Sequence, residues 1–541
     1  MGDLSLNNIM LSDDEWKVTL IDFEAAESPG NSYNPSIATP GYISNEAKNY
    51  MQGDWFALYR IARTLFLPII PVYDLAPQIT HVHDRHIEQK FGKKAINFLR
   101  EIENTISKYT NLRPQSPFLN QKLSPPTKEL SMDNLNHIIG GLQKGLINNL
   151  EVDSFSLIKG DIAQFNESIN KYNVAYGAFG TILSLIRSGG KNFSVGIKAS
   201  LEEWFKLIIP YLEKESENLK NNIGLYDGFS GIITVLYELG YENSALSILR
   251  NLQKNFTKEE VNTKEDISIY SGLSGIGLLY LSFYEILGDD NLLQSLKLIY
   301  DRVITIYQEN YDNLEEISNY GLINGWSGAA LFLFKSNSLF NNFEGKEIAY
   351  NLIDRSIEHA SEYDQDEDLH VVDDSRGIDR LIPYIEDGSS GIALTMLEFH
   401  NHDKDYLNPI REKVLERFIS SNYYYCSANG GLMSGYAGFI PLANAVKHTH
   451  NKSDMISILL KGLNNYLVRD HNDEILFPGN YGFKCSMDVS TGAAGVLMVL
   501  SDLKKKQWGS WLPIPQKSSI KLFEANVAND LSGAKRALNY V

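Results

Sequence analysis

The first residues able to do chemistry come at the start of the chain. Asp3 is followed five residues later by Asn8, and Asp22 lies near the end of the strand-like run Lys17 to Phe23. A carboxylate, a carboxamide and a second carboxylate in that order suit phosphoryl transfer. Asp3 would orient an attacking hydroxyl, while Asn8 and Asp22 would hold Mg²⁺ against the phosphates of ATP. A second set of reactive side chains stands beside Gly-x-x-Gly turns: Asp227, Glu386, Asp387 and Asp488, with Tyr176, Tyr226 and Tyr436. A carboxyl or phenol there could take up a proton and return it, and Asp227 and Asp387 are the acids assigned that role. The competing expectation is that acids just before a helix are N-caps.

What positions the second set is a repeat. Seven glycine pairs recur: Gly177/Gly180, Gly228/Gly231, Gly272/Gly275, Gly325/Gly328, Gly388/Gly391, Gly435/Gly438 and Gly492/Gly495. Each spacing leaves room for two helices and two loops. Apolar stretches follow the pairs, such as Ile232 to Leu236 and Val496 to Leu500, and a helix apolar nearly all round must be buried. More polar amphipathic segments lie between them, such as Ala199 to Ile209 and Asp454 to Val468, and suit an outer layer. Helical hairpins that cannot bury their faces alone must stack, and seven of them can close a ring. The predicted fold is therefore mainly α, a seven-repeat α/α toroid over residues 136–515. Its inner helices would point uncapped, mildly electropositive N-termini at one mouth. His400, His402, His448 and His450 follow inner helices and are expected on the far side.

The remaining segments divide by composition. Residues 1–110 mix strand-like and helix-like runs. Residues 111–135 hold Pro114, Pro117, Pro125 and Pro126, which remove donors and break helices, and read as a linker. Ser361 to Arg380, with Asp364, Asp366, Glu367, Asp368, Asp373 and Asp374, reads as a solvated acidic loop, and 516–541 as a C-terminal tail. A formal net charge of -18 would repel phosphates and anionic lipid, which argues against a nucleic-acid or membrane surface. Two cysteines, Cys426 and Cys485, are too few for a disulfide framework, so a reducing cytoplasm fits. Glu386 beside Asp387 could also imitate the paired acids of an α/α-toroid glycoside hydrolase.

The N-terminal landmarks resemble the C-terminal lobe of a protein-kinase-like domain. Thr39-Pro40-Gly41-Tyr42 with Glu46 resembles the end of an activation segment, and Asp54-Trp55-Phe56-Ala57-Leu58 the helix whose aspartate braces the catalytic loop. Met1 stands where that family has His, and the phosphate-pairing Lys and its Glu partner are not among these residues. The expectation is an N-terminally truncated domain that does not use ATP productively by itself. Residues 136–515 resemble the LanC-like cyclases, and the two together resemble the class III lanthipeptide synthetases. That resemblance implies a leader-bearing precursor peptide as partner, with Ser/Thr phosphorylation and dehydration by the full enzyme and Cys addition to dehydroamino acids in the cyclase. It also implies that a separate N-terminal lyase/kinase part could complete the system. The non-enzymatic alternative is a toroid that only binds the peptide. Zinc-bearing cyclases carry Cys two residues before the fifth pair and Cys-His immediately before the sixth. The matching positions here are Glu386, and Met433 with Ser434, so no zinc is expected.

Overall fold

The computed structural model describes residues 1–515 except 13–16, 36–38, 45, 70–71, 111–122, 220, 315–318, 359, 364–367, 374–379, 447–452, 471 and 506–508. The tail 516–541, the first half of the expected linker, most of the acidic run and His448 and His450 therefore lie outside the described residues.

The N-terminal part opens with the hairpin β1 (Ile9–Leu11) and β2 (Val18–Leu20), antiparallel with Ile9 opposite Leu20. Helices α1 (Tyr50–Thr64), α2 (Val72–Leu75), α3 (Thr80–Phe91) and α4 (Lys93–Ser107) follow. Asn49 starts α1 by accepting from Gln52 N. Two arginines tie α1 to its neighbours, Arg60 to Asp74 at 2.7 Å and Arg63 to Asp84 at 2.5 Å. The linker does not hang free in its second half. Leu123 and Leu130 are buried, and Ser124 exchanges backbone hydrogen bonds with Arg469.

The rest of the chain is built from helical hairpins. After α5 (Leu135–Asn148) come α6 (Ala178–Ser188), α7 (Lys191–Ser200), α8 (Glu202–Ser216), α9 (Phe229–Glu238), α10 (Glu242–Asn255), α11 (Lys258–Thr263), α12 (Leu273–Leu287) and α13 (Asp290–Glu309). Then follow α14 (Trp326–Phe340), α15 (Phe343–Glu358), the antiparallel sheet β3 (Ala360–Tyr363), β4 (Asp368–Asp373) and β5 (Arg380–Ile382), then α16 (Ser389–His402) and α17 (Pro409–Ser420). The chain continues with α18 (Ile440–Val446), α19 (Ser453–Leu463), the short pair β6 (Val468–Arg469) and β7 (Ile475–Leu476), and α20 (Ala493–Lys505).

The helices that follow glycine pairs form the inner layer. Every residue of α9 from Phe229 to Tyr237 is buried, as its all-round apolar character requires. In α13 only one stripe is buried, Leu292, Leu296, Ile299, Val303 and Tyr307 among it, at helical spacing; Asp289 caps its start by accepting from Asn291 N. The contacts run α6 to α9, α9 to α12, α12 to α14, α14 to α16, α16 to α18, α18 to α20, and α20 back to α6. A second register repeats the same order. A Cβ on the second glycine of each pair would overlap the carbonyl oxygen six residues earlier and a side chain of the preceding repeat: Val174 at Gly231, Leu225 at Gly275, Ile269 at Gly328, Leu322 at Gly391, Ile385 at Gly438, Leu432 at Gly495, and Val489 at Gly180. Close approach, not an unusual φ, is what demands glycine here.

One expectation fails. Ser361 to Arg380 is not a plain loop, because its described residues contribute β3, β4 and β5, with Val371 opposite both Ala360 and Ile382. Leu369, His370 and Val371 are all buried, and Leu369 N donates to Ser421 Oγ at 3.0 Å. The surrounding acids masked that short strand.

Candidate functional site

Each inner helix is entered through an extended segment, and the residue two before its first glycine defines a girdle: Ala175, Tyr226, Tyr270, Ile323, Glu386, Met433 and Ser490. Backbone N–H groups donate around it, Ala175 to Tyr226 O, Tyr226 to Tyr270 O, Tyr270 to Ile323 O and Ile323 to Glu386 O, all at 2.9 to 3.0 Å. On the other side Met433 donates to Ser490 O at 3.1 Å and Ser490 to Ala175 O at 3.0 Å. Between the fifth and sixth repeats a side chain makes a link, as Ser434 Oγ donates to Glu386 Oε2. The residue immediately before each first glycine is polar in all seven repeats: Tyr176, Asp227, Ser271, Asn324, Asp387, Ser434 and Thr491.

Glu386 is the centre of this arrangement. Its other oxygen, Oε1, accepts from Asn324 Nδ2 at 2.9 Å. Burial, with the charge of Asp387 beside it, pushes its carboxyl up to about 7 against the pull of the Ser434 and Asn324 hydrogen bonds. The negative field of Glu386 reaches Tyr176, Tyr226 and Tyr270, whose phenols burial holds above their ordinary range. Tyr176 and Tyr270 share a side-chain hydrogen bond, and Tyr226 stacks on Tyr270 with centroids 5.6 Å apart. A carboxyl that changes protonation near neutrality, rimmed by phenols, can both take and give a proton.

The other acids have different surroundings. Asp227 is pushed up to about 7, chiefly by burial, and its Oδ1 is buried without a hydrogen-bond partner. Lys264, Asp266 and Glu167 are the charges around it, so it belongs to the rim above the second and third repeats. Asp387 accepts from Asn319 Nδ2 at 3.4 Å. The N-cap residues of α9 and α16 are Gly228 and Gly388, which have no side chain to cap with. Asp488 is tied down within its own turn. It accepts from Thr491 N at 2.7 Å, Asp161 N at 3.1 Å, Thr491 Oγ1 and Ser486 Oγ, holding the turn before α20. Tyr436 does not join Glu386. It lies fully buried, donating to Tyr424 O at 2.9 Å. Tyr270, in the same column as Tyr226 two before the glycine, was not among the tyrosines singled out from the sequence.

Both thiols, Cys426 and Cys485, are pushed up to about 12 by burial, which keeps them protonated and inert. His402 faces Lys335 and Glu398 at the C-terminal end of α16, away from the girdle. A further segment reaches the girdle from below. Arg187, paired with Glu238, donates to Ser510 O, Leu512 O and Ile514 O, and Tyr226 Oη donates to Trp511 O at 2.9 Å.

The N-terminal acids also assemble. Asp3 Oδ1 accepts from Thr39 N at 2.6 Å, and Asn8 Nδ2 donates to Asp3 O at 2.8 Å. Ile21 N donates to Asn8 O at 3.0 Å, which sets Asp22, at φ 60, next to Asn8 at one end of the β1–β2 hairpin. Asp54 accepts from Gly2 N at 3.0 Å and from the Met1 nitrogen, bracing the segment that carries Asp3. Among the described residues no helix is long and apolar enough to cross a membrane.

Residues 220–321, which span the second and third glycine pairs, match the family model described as lanthionine synthetase C-like protein. The chain is 24% identical over 556 aligned positions to the "Probable SapB synthase" of Streptomyces coelicolor (strain ATCC BAA-471 / A3(2) / M145), covering 96% of this chain and 57% of that protein. The chain thus spans less than two thirds of the length of this curated relative. A solved structure titled "Nisin cyclase" overlays with a TM-score of 0.46 at 18% identity, covering 70% of this chain and 96% of that one.

Proposed function

We propose that this chain is the C-terminal part of a class III lanthionine- or labionin-forming synthetase, in which residues 136–515 form a zinc-free α/α-toroid cyclase acting on a leader-bearing precursor peptide. The observation that carries the reading is the girdle of glycine-pair loops converging on Glu386, with the lanthionine synthetase C-like match lying over two of those repeats. Glu386 and Ser434 occupy positions where zinc-bearing cyclases place metal ligands. A carboxyl and a hydroxyl suit proton transfer better than tetrahedral zinc binding.

In this reading the Glu386 carboxylate takes the proton of a substrate Cys thiol. The sulfur pair forms the C–S bond to the β-carbon of a dehydroamino acid, and the C=C pair moves out as an enolate. The proton held on Glu386 then returns to the α-carbon, closing lanthionine; where the enolate carbon instead adds to the β-carbon of a second dehydroamino acid, that proton goes to the α-carbon of the new enolate and labionin results. Asp387 keeps Glu386 protonatable by charge repulsion, and Asp227 is a second proton carrier on the rim. In the N-terminal part Asp3 would orient the substrate hydroxyl, and Asn8 and Asp22 would hold Mg²⁺. ATP would supply the phosphoryl group in a complete kinase domain, and a separate N-terminal lyase/kinase part is a candidate partner for it. A cytoplasmic setting suits this chemistry, which needs free Cys thiols.

The test is a synthetic peptide carrying one dehydroalanine and one Cys, incubated with the chain while mass-neutral loss of free thiol is followed. Acceleration over the uncatalysed reaction that disappears in Glu386→Gln supports the reading. Acceleration retained in Glu386→Gln, and in the Asp227→Asn/Asp387→Asn pair, makes the toroid a peptide scaffold instead.

A further inference from the structure

The N-terminal unit touches the cyclase body through α3. His83 is fully buried: its Nε2–H donates to Asn465 O at 2.9 Å, and Nδ1 then accepts from Tyr73 Oη at 2.8 Å. His86, one turn on, donates from Nε2 to Tyr425 O at 3.2 Å, and its ring stacks on Tyr425 with centroids 4.5 Å apart and planes 15° apart. Phe91 meets the same tyrosine edge-on at 5.3 Å, and Lys90 Nζ lies over its ring. Three side chains of one helix thus grip a single residue of the loop that follows α17.

That loop continues directly into the site. Two residues after Tyr425, Ser427 N donates to Tyr466 Oη at 3.1 Å, and Tyr466 Oη donates to Ser427 O. Ser427 Oγ shares a 3.0 Å hydrogen bond with Tyr384 Oη, and Tyr384 stands two residues before Glu386. Tyr384 and Tyr424 both stack on Phe439. Further along the loop, Ser434 donates to Glu386 Oε2. Ser427 is therefore tied to both strands of chain that meet at the Glu386–Ser434 contact, and Tyr425 is where the N-terminal unit holds that assembly.

We propose that His86 is a positioning residue for the cyclisation site: by clamping Tyr425 it fixes the loop that delivers the Ser434 hydroxyl to Glu386. The inference rests on the reading of Glu386 as the proton-carrying group. It explains why an N-terminal unit unrelated to the ring chemistry is docked on the sixth repeat rather than tethered. Loss of the Ser434 donor removes a hydrogen bond that favours the charged carboxylate, so the Glu386 midpoint must rise. The groups facing Glu386 that share this titration are Asp387, Asn324, Ser434 and the phenols of Tyr176, Tyr226 and Tyr270.

The experiment follows Glu386 titration by carboxyl infrared difference spectra, wild type minus Glu386→Gln, in the full chain without any substrate. Ser434→Ala sets the reference upward shift. His86→Ala is expected to shift the midpoint in the same direction by about half as much or more, His86→Phe to restore most of it by keeping the stack, and the His86→Ala/Ser434→Ala double variant to match Ser434→Ala alone. Tyr384→Phe, which removes one hydroxyl on the cyclase side, is expected to move the midpoint likewise and serves if His86→Ala does not fold. An unmoved midpoint in these variants, or shifts that add in the double variant, overturns the inference whether or not the chain accelerates thiol addition. If the wild type leaves the dehydroalanine peptide unaccelerated while the coupled shifts appear, the functional reading fails and the clamp stands.

Discussion

The junction of the last and first repeats and the junction of the fifth and sixth are made from the same turn, and burial raises the carboxyl at each, yet the two carboxyls have different donors around them. At the first, Asp488 is closed off by hydrogen bonds from Thr491, Ser486 and Asp161, and Gly180 packs on Val174 and Val489. At the second, Glu386 is withdrawn from water with two side-chain donors and a neighbouring acid, so it is neither a settled anion nor a settled acid. Burial alone does not make a proton carrier; what separates the two is how completely donors satisfy the charged form.

That contrast can be broken in order of expected effect. Gly180→Val should be the most disruptive, because the added atoms meet the Val174 carbonyl and the Val489 side chain where last and first repeats join; a loss of about 3 kcal/mol or more is expected in urea melts, enough to leave little folded protein. Glu386→Gln should lower kcat for thiol addition about 10²- to 10³-fold, as expected for loss of general acid–base catalysis, with thermal stability unchanged or slightly raised. Asp488→Ala should reverse that pattern, costing roughly 2–3 kcal/mol of stability through its stranded donors and changing the rate only in proportion to folded protein.

Acidity sharpens the same comparison. The folded-state midpoint of Glu386, about 7, lies above its ordinary 4.5, so its contribution favours the fold below about 4.5 and is lost as pH rises through about 7. Asp227 adds to the same window. Melting temperature should therefore fall less steeply between about pH 5 and about pH 7 in Glu386→Gln than in the wild type, while the rate of the wild type should climb through about pH 7 as the base form appears. The smallest effect is expected from Asn319→Ala, whose 3.4 Å bond to Asp387 is long; about a twofold change in rate at neutral pH is the limit, read from initial velocities.

The helices were legible because their information is local. Ile232 to Leu236 is apolar on every side and α13 on one stripe, and those patterns fix which layer each joins. The positions of Glu386 and Ser434 were legible too, since they are counted from glycines. Three things were not. The strand pairing of Leu369 and Val371 was hidden under acids, the partner of Tyr436 lay in Tyr424 rather than the mouth, and the Tyr176–Tyr270 hydrogen bond joins two different repeats.

By itself the sequence determined the repeat, the residue types beside each glycine and the spacing of Asp3, Asn8 and Asp22, because all are properties of neighbouring residues. Only the tertiary structure decided which carboxylate is satisfied and which is not. Donors to Glu386 come from Asn324 and Ser434, 62 and 48 residues away along the chain, and a donor to Asp488 from Asp161, 327 away. Protonation depends on what folding brings within hydrogen-bonding distance, and no local pattern encodes that.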